Sequence, residues 1–260
     1  DGELLATAIN VACPSQEVEG RSSINADFWH EVRETLRSRY GQDLLVLAWT
    51  GSAGDQSPHL MYRKRAEERM RNLRGLTRLQ ELSRRIVAAW DEAYEGARQE
   101  QHADAVLVHK VKTVELPVRK VTKTEAAEAR AKVEALSKDP ANRRLVIWHG
   151  KVVKRFEQQQ AGDVKPYSME LHGIRLGDVA IATNDFELFT DFGIQIKARS
   201  RALQTFLIQL AGPGTYLPTE RATLGGGYSA IAESNLVGPE GGQVLVERTV
   251  ELLNTLWPEP

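Results

Sequence analysis

The chain predicts an α/β fold: one domain spanning residues 1–260, built on a mixed sheet with helices on its faces. Three observations carry that expectation. Strand-type apolar runs alternate with amphipathic helical segments along most of the length. Asp43–Trp49 is continuous in hydrophobicity, as a central strand covered on both faces should be. Met169–His172 and Val179–Thr183, joined by the turn GIRLGD, read as a hairpin and add antiparallel pairing to the sheet.

Taken in order, Leu4–Ala12 is an apolar run of strand type. Asn25 and Asp27 are cap candidates for a helix through Arg39, with Phe28, Val32 and Leu36 on one face and Gly41 as its stop. Leu60–Arg74 reads as a basic helix. Thr77 and Gln80 make a capping box for the next helix, whose stripe is Leu79, Leu82, Ile86, Ala89, Trp90 and Ala93. Ala103–Val121 alternates apolar and polar residues and carries Pro117, which suits a half-exposed strand near a sheet edge. Glu125–Leu136 is a surface helix, and Ser137–Arg144 is a loop. Asn184 or Asp185 is expected to cap a helix bearing Phe186, Phe189 and Ile194. Thr205–Leu210 is a buried strand, Gly212–Ser229 a long Gly/Pro loop, and Gln243–Leu256 a closing amphipathic helix.

The charge balance, 34 basic against 35 acidic side chains, supplies no field that would draw in nucleic acid or an anionic membrane. A single cysteine, Cys13, excludes an internal disulfide framework and a Cys-rich zinc module. No apolar run reaches the 18 or so residues of a transmembrane helix. The chain opens at Asp1 without an initiator Met, so the expectation is that the start of a longer protein, any export signal included, is missing.

Two strands end in unusual turns: Leu44–Trp49 at GSAGDQSP, and Val179–Thr183 at Asn184–Glu187. Ligands of open α/β sheets sit outside the carboxyl ends of strands, which predicts a crevice shared by Ser57 and Glu187. The plainer alternatives are a structural strand-to-helix turn around Ser57 and a first-turn carboxylate at Glu187. A loop as long as Gly212–Ser229 is more often functional than filler, and its two tyrosines, Tyr216 and Tyr228, are either functional or ring plugs against the core. The six histidines show neither His-x-His nor His-x-x-x-His spacing, and packing accounts for most of them. His59 stands apart because it is two residues from Ser57. The basic run Arg63–Arg74 reads as a solvated face with internal ion pairs, with phosphate or headgroup binding as its alternative.

Several of these segments taken together resemble the neutral/alkaline (non-lysosomal) ceramidase family, in its uncharacterised bacterial branch. The matching stretches are NVACPSQ (10–16), ADFW (26–29), GDQSP (54–58), VELP (114–117), NDFELF (184–189) with IKARS (196–200), and YLPTERA (216–222) with GGGY (225–228). The resemblance implies a ceramidase-like catalytic domain and a zinc-dependent amidase that splits the N-acyl bond of ceramide or a related lipid amide. It implies a catalytic role for Ser57, metal ligation by Glu187 and Tyr216, and an oxyanion-stabilising role for Tyr228. A small-molecule lipid amide is then the partner, and a secreted or periplasmic location the expectation.

The sequence departs from the family pattern at several points. The family's His-x-His segment would lie before Asp1, and Cys13 stands near the position of another histidine, either as a thiolate ligand or as a small buried residue at a strand end. Phe186 replaces the glycine that precedes the family glutamate, and His59 replaces an asparagine. No counterpart of the family's C-terminal immunoglobulin-like domain is present in residues 1–260. The reading is therefore a fragment of the catalytic domain, inactive alone. The alternative is a metal-free pseudo-enzyme or a lipid- or carbohydrate-binding module on the same fold.

Overall fold

Local capping sets the helix boundaries before any packing does. The Asp27 carboxylate accepts the Phe28 backbone N–H at 2.8 Å and also that of Val18 at 2.9 Å, closing a helix start predicted at that residue. The computed structural model describes residues 2–258. They cluster into two compact units: the first holds residues up to Gly51 with Gln56–Val106, the second Ser52–Asp55 with the chain from Leu107 onward.

In the first unit, β1 (Ala6–Val11) pairs in parallel with β2 (Leu45–Thr50), and the helix α1 (Phe28–Tyr40) connects them. The helix α2 (Lys64–Leu73) precedes α3 (Arg78–Ala97). The Thr77–Gln80 capping box forms as the sequence predicts. Phe28, Val32 and Leu36 bury against Ile9, Val46, Val87 and Trp90 to make the core. The buried face of α3 runs through Ser83, Val87 and Trp90, whereas Ala89 and Ala93 of the predicted stripe are exposed. β2 is not the doubly covered strand its hydrophobicity predicts: Val46 is buried, but Leu45 is 60% exposed. Only one face of this two-stranded sheet receives the α1–α3 core.

α2 begins at Lys64 rather than Leu60 and buries none of its residues. Glu67 of α2 meets Arg85 at 2.6 Å, and on α3 the buried Glu81 receives Arg84, Arg85 and Arg74. Hydrogen bonds from Arg84, with Arg85 adding to them, hold the Glu81 carboxyl down at about 2.

The second unit is built on a four-stranded mixed sheet. It contains β3 (Leu107–Leu116), the helices α4 (Lys123–Leu136) and α5 (Arg143–Gln160), and the strands β4 (Tyr167–Leu176) and β5 (Val179–Thr183). Next come β6 (Glu187–Leu188), α6 (Thr190–Arg199), β7 (Gln204–Ile208), β8 (Tyr216–Leu217), α7 (Glu220–Gly225) and α8 (Pro239–Asn254). The sheet order is β3-β4-β5-β7, antiparallel except for the parallel β5–β7 pair. β3 is an edge strand, as Pro117 predicts. The hairpin turn is tighter than GIRLGD suggests, because the strand ladder runs on to Leu176 opposite Val179. Leu245, Leu252 and Leu253 of α8 close the core over Leu116, Leu171 and Leu207.

Three expectations need correction here. The segment 137–144 is not all loop: it holds a short turn of helix at Pro140–Asn142, and α5 starts at Arg143. Asn184–Phe189 does not open a helix. The Asn184 side chain accepts the Phe186 N–H at 3.0 Å in a local turn, and the chain then pairs as β6 before α6 begins at Thr190. The loop Gly212–Ser229 carries structure of its own, β8 and α7, because residues 216–217 find a partner in β6.

α4 and α5 form a helical hairpin around Ala126, Ala129 and Val152. Two arginines fasten it to the chain that follows α7. Arg155 donates to the carbonyls of Ala232, Asn235 and Arg119, and Arg119 donates to the carbonyl of Ala230 and to the side chains of Asn235 and Glu125. Desolvation, with Arg119 nearby, pulls the Arg155 pKa below its ordinary value. The Arg155→Met variant keeps the alkyl stem but strips three carbonyls of their donor. It is expected to lower stability by about 2–4 kcal/mol in urea unfolding.

Candidate active site around Glu187

Glu187 is placed by backbone pairing rather than by a helix. Its N–H donates to the Thr215 carbonyl at 3.1 Å, and the parallel β6–β8 register sets Glu187 beside Tyr216. On the other side of β6, the Gly54 N–H reaches the Leu188 carbonyl at 2.9 Å. The buried Gln209 side chain accepts from both Ala53 N–H (3.0 Å) and Leu188 N–H (3.1 Å) through its one Oε1. Asp55 accepts from the backbone N–H and hydroxyl of Thr190 at 2.9 and 2.6 Å, and so caps α6 from a distant turn.

Three glycines make this close approach feasible. A Cβ at Gly54 would run into the Glu187 carbonyl, one at Gly212 into the Asp185 carboxylate, and one at Gly214 into the Asp185 carbonyl. The Asp185 carboxylate in turn accepts the Tyr167 hydroxyl at 2.8 Å, and burial followed by this bond raises the phenol's pKa. Phe186, where the family has glycine, is fully buried and packs its ring 5.1 Å from that of Tyr167.

The half-buried Glu187 carboxyl receives a hydrogen bond from the Tyr216 side chain. Burial raises its pKa, and the Tyr216 bond partly offsets the rise. The Tyr216 ring meets that of Tyr228 edge-on at 6.0 Å, and Tyr228 lies 6.1 Å from Trp148. Beside Trp148 sits His149, buried, with Nδ1 2.9 Å from the Glu233 carboxylate. A continuous row thus runs Glu187, Tyr216, Tyr228, Trp148, His149, Glu233, all within the second unit.

The structure therefore brings together three of the four residues singled out in the sequence. Ser57 belongs to the first unit, where it is exposed and its hydroxyl accepts the His59 backbone N–H at 3.2 Å. The His59 imidazole faces Glu19, 3.9 Å away. Trp148, His149 and Glu233 were missed, although α5 offered an amphipathic period that would have placed the first two.

The residues were tested against the zinc that the resemblance implies. Glu187 and Tyr216 offer two adjacent oxygens. Among the described residues, no group of three His, Cys, Asp or Glu side chains is arranged to hold a metal ion. Zinc wants three or four protein donors, so these two do not complete a site by themselves. Cys13 is no ready thiolate: burial, with Asp27 and Glu17 nearby, pushes its thiol up to about 11.

No family model matches the chain, and neither does any curated protein. Solved structures do. The crystal structure of neutral ceramidase from Pseudomonas aeruginosa superposes with a TM-score of 0.62 at 16% identity, covering 98% of this chain and 44% of that one. A structure titled ceramidase complexed with C2 gives a TM-score of 0.63 at 14% identity, covering 98% and 46%. The chain thus has a ceramidase-like fold and spans less than half the length of these neighbours.

Two outcomes follow from the geometry. Gly54→Ala is expected to lower thermal stability by about 1–3 kcal/mol through the Glu187 carbonyl clash, whereas Gly225→Ala, with open space around it, is neutral or slightly stabilising. Because the folded-state pKa of Glu187 lies above its unfolded value, its favourable contribution is complete in acid and is lost as pH rises through the folded value. Stability of the wild type relative to Glu187→Gln should fall with increasing pH across that window, measured by urea unfolding at a series of pH values.

Proposed function

We propose that this chain is part of a ceramidase-like amide hydrolase acting on the N-acyl bond of a lipid amide. The observation that supports this best is the row Glu187–Tyr216–Tyr228 in a chain whose fold matches ceramidase structures over nearly its whole length. In this reading, water adds to the amide carbonyl carbon, the C–N bond breaks, and the amine leaves with a proton.

The parts follow from their surroundings. Glu187, half-buried with its pKa raised by burial, offers a carboxyl oxygen to the site. Tyr216 orients it by hydrogen bonding. Tyr228, whose side chain is largely exposed at 67%, is free to point its hydroxyl at the oxyanion that develops on the carbonyl oxygen. Zinc belongs to the proposal for the intact protein, with Glu187 and Tyr216 as two of its donors. When bound, it would polarise the amide carbonyl.

The test uses the intact protein, an N-acyl sphingosine substrate and measured zinc content. Tyr228→Phe is expected to lower kcat about 10²-fold with little change in KM. Glu187→Ala should lose both zinc and turnover. Equal, negligible zinc in wild type and Glu187→Ala, together with no acyl release by either, would overturn the hydrolase reading in favour of a binding module.

A further inference from the structure

A cavity of about 260 Å³ opens beside Tyr228, lined by Arg144, Leu145, Ile147, Trp148, Lys151 and Tyr228. Five of these lie on α5, and Arg144, Ile147, Trp148 and Lys151 fall at helical positions i, i+3, i+4 and i+7, a single face. Two cations therefore stand two turns apart, with an aliphatic and an aromatic side chain between them. No carboxylate lines the cavity.

Several exposed arginines elsewhere on the second unit are matched, whereas Arg143 and Arg201, like Arg144, form no ion pair among the described residues. Arg130 meets Glu157, Arg199 meets Glu247 and Arg248 meets Glu251. Arg144 and Lys151 form no ion pair among the described residues. Their stems lie along apolar surface while their charges remain available to a ligand. The fourth wall is Tyr228, whose ring also meets Tyr216.

A cavity of this size is below the range that encloses a drug-sized molecule, so it admits a head group rather than a whole lipid. We infer that it is a recognition site for a carboxylate carried by an amphiphilic amide, which adds N-acyl amino acids to the lipid amides proposed as substrates. The two cations take the carboxylate, and Leu145, Ile147 and Trp148 cover the adjoining apolar atoms. This rests on the hydrolase reading only for the word substrate; the binding site stands on the cavity itself.

Equilibrium binding separates the two. Titration of the intact protein with N-lauroylglycine, below its micelle concentration, should change Trp148 fluorescence, with Trp148→Phe removing the signal. Neutral N-lauroylethanolamine should bind at least about tenfold more weakly. Arg144→Gln and Lys151→Gln, both at exposed positions, should each weaken N-lauroylglycine about tenfold, the worth of one charge-assisted contact, and leave N-lauroylethanolamine unchanged. Added salt should narrow the difference.

Equal affinity for the two amides, or affinity for N-lauroylglycine that is indifferent to both substitutions, overturns the inference. Carboxylate-dependent binding without hydrolysis of any N-acyl compound sinks the hydrolase reading and leaves this site intact. Hydrolysis of neutral N-acyl lipids alone, unaffected by either substitution, does the reverse.

Discussion

One side-chain oxygen holds the candidate site together. Gln209 Oε1 accepts from Ala53 and from Leu188, residues far apart in sequence, and so anchors the small-residue turn against the strand that carries Glu187. The arrangement is buried, where each unmade hydrogen bond costs about 1–3 kcal/mol, so the two N–H groups have no cheap alternative partner. Gln209 leaves its own Nε2 without a protein partner among the described residues. That is the opposing cost of using one amide oxygen for two donors. Gly54 lets the backbones come close enough for the bond to form, and Asp55 extends the contact to the start of α6.

With the backbone held, the electrostatics of the site follow. Glu187 is on a two-residue strand, half removed from water, and its nearest polar partner is a phenol rather than a cation. Contrast Glu81, also buried, where arginine hydrogen bonds overwhelm desolvation and drive the pKa the other way. The two carboxyls show that the partner, not burial alone, decides the direction of the pKa shift. Burial and a neutral phenol partner therefore leave the Glu187 carboxyl with a raised pKa, where Glu81 has a lowered one.

Several helix boundaries were legible, although α5 was not anticipated. The Thr77–Gln80 box, the Asp27 cap, Gly41 as a stop and the edge strand with Pro117 all follow from short-range chemistry in a few residues. Where the reading failed, the deciding partner was remote. Phe186 and Phe189 mimic a helical stripe after a plausible cap, yet the segment pairs with 215–217 instead. The loop at 212–229 looked formless for the same reason, since β8 has no identity without β6. Leu45 and Leu47 read as doubly buried, but hydrophobicity records what a strand tolerates and not how many layers cover it.

The amino-acid order by itself determined the α/β class, several caps and element boundaries, and the residue types with chemistry to offer, Glu187, Tyr216 and Tyr228 among them. These depend on periodicity, caps and turns, which act over a handful of residues. Tertiary structure alone decided that Glu187 stands against Tyr216, that Tyr228 shares a wall with Trp148, and that Gln209 bridges a turn and a strand. Each of those is a pairing across tens of residues, set by which buried donors and acceptors can be satisfied at once, and no local pattern encodes that choice.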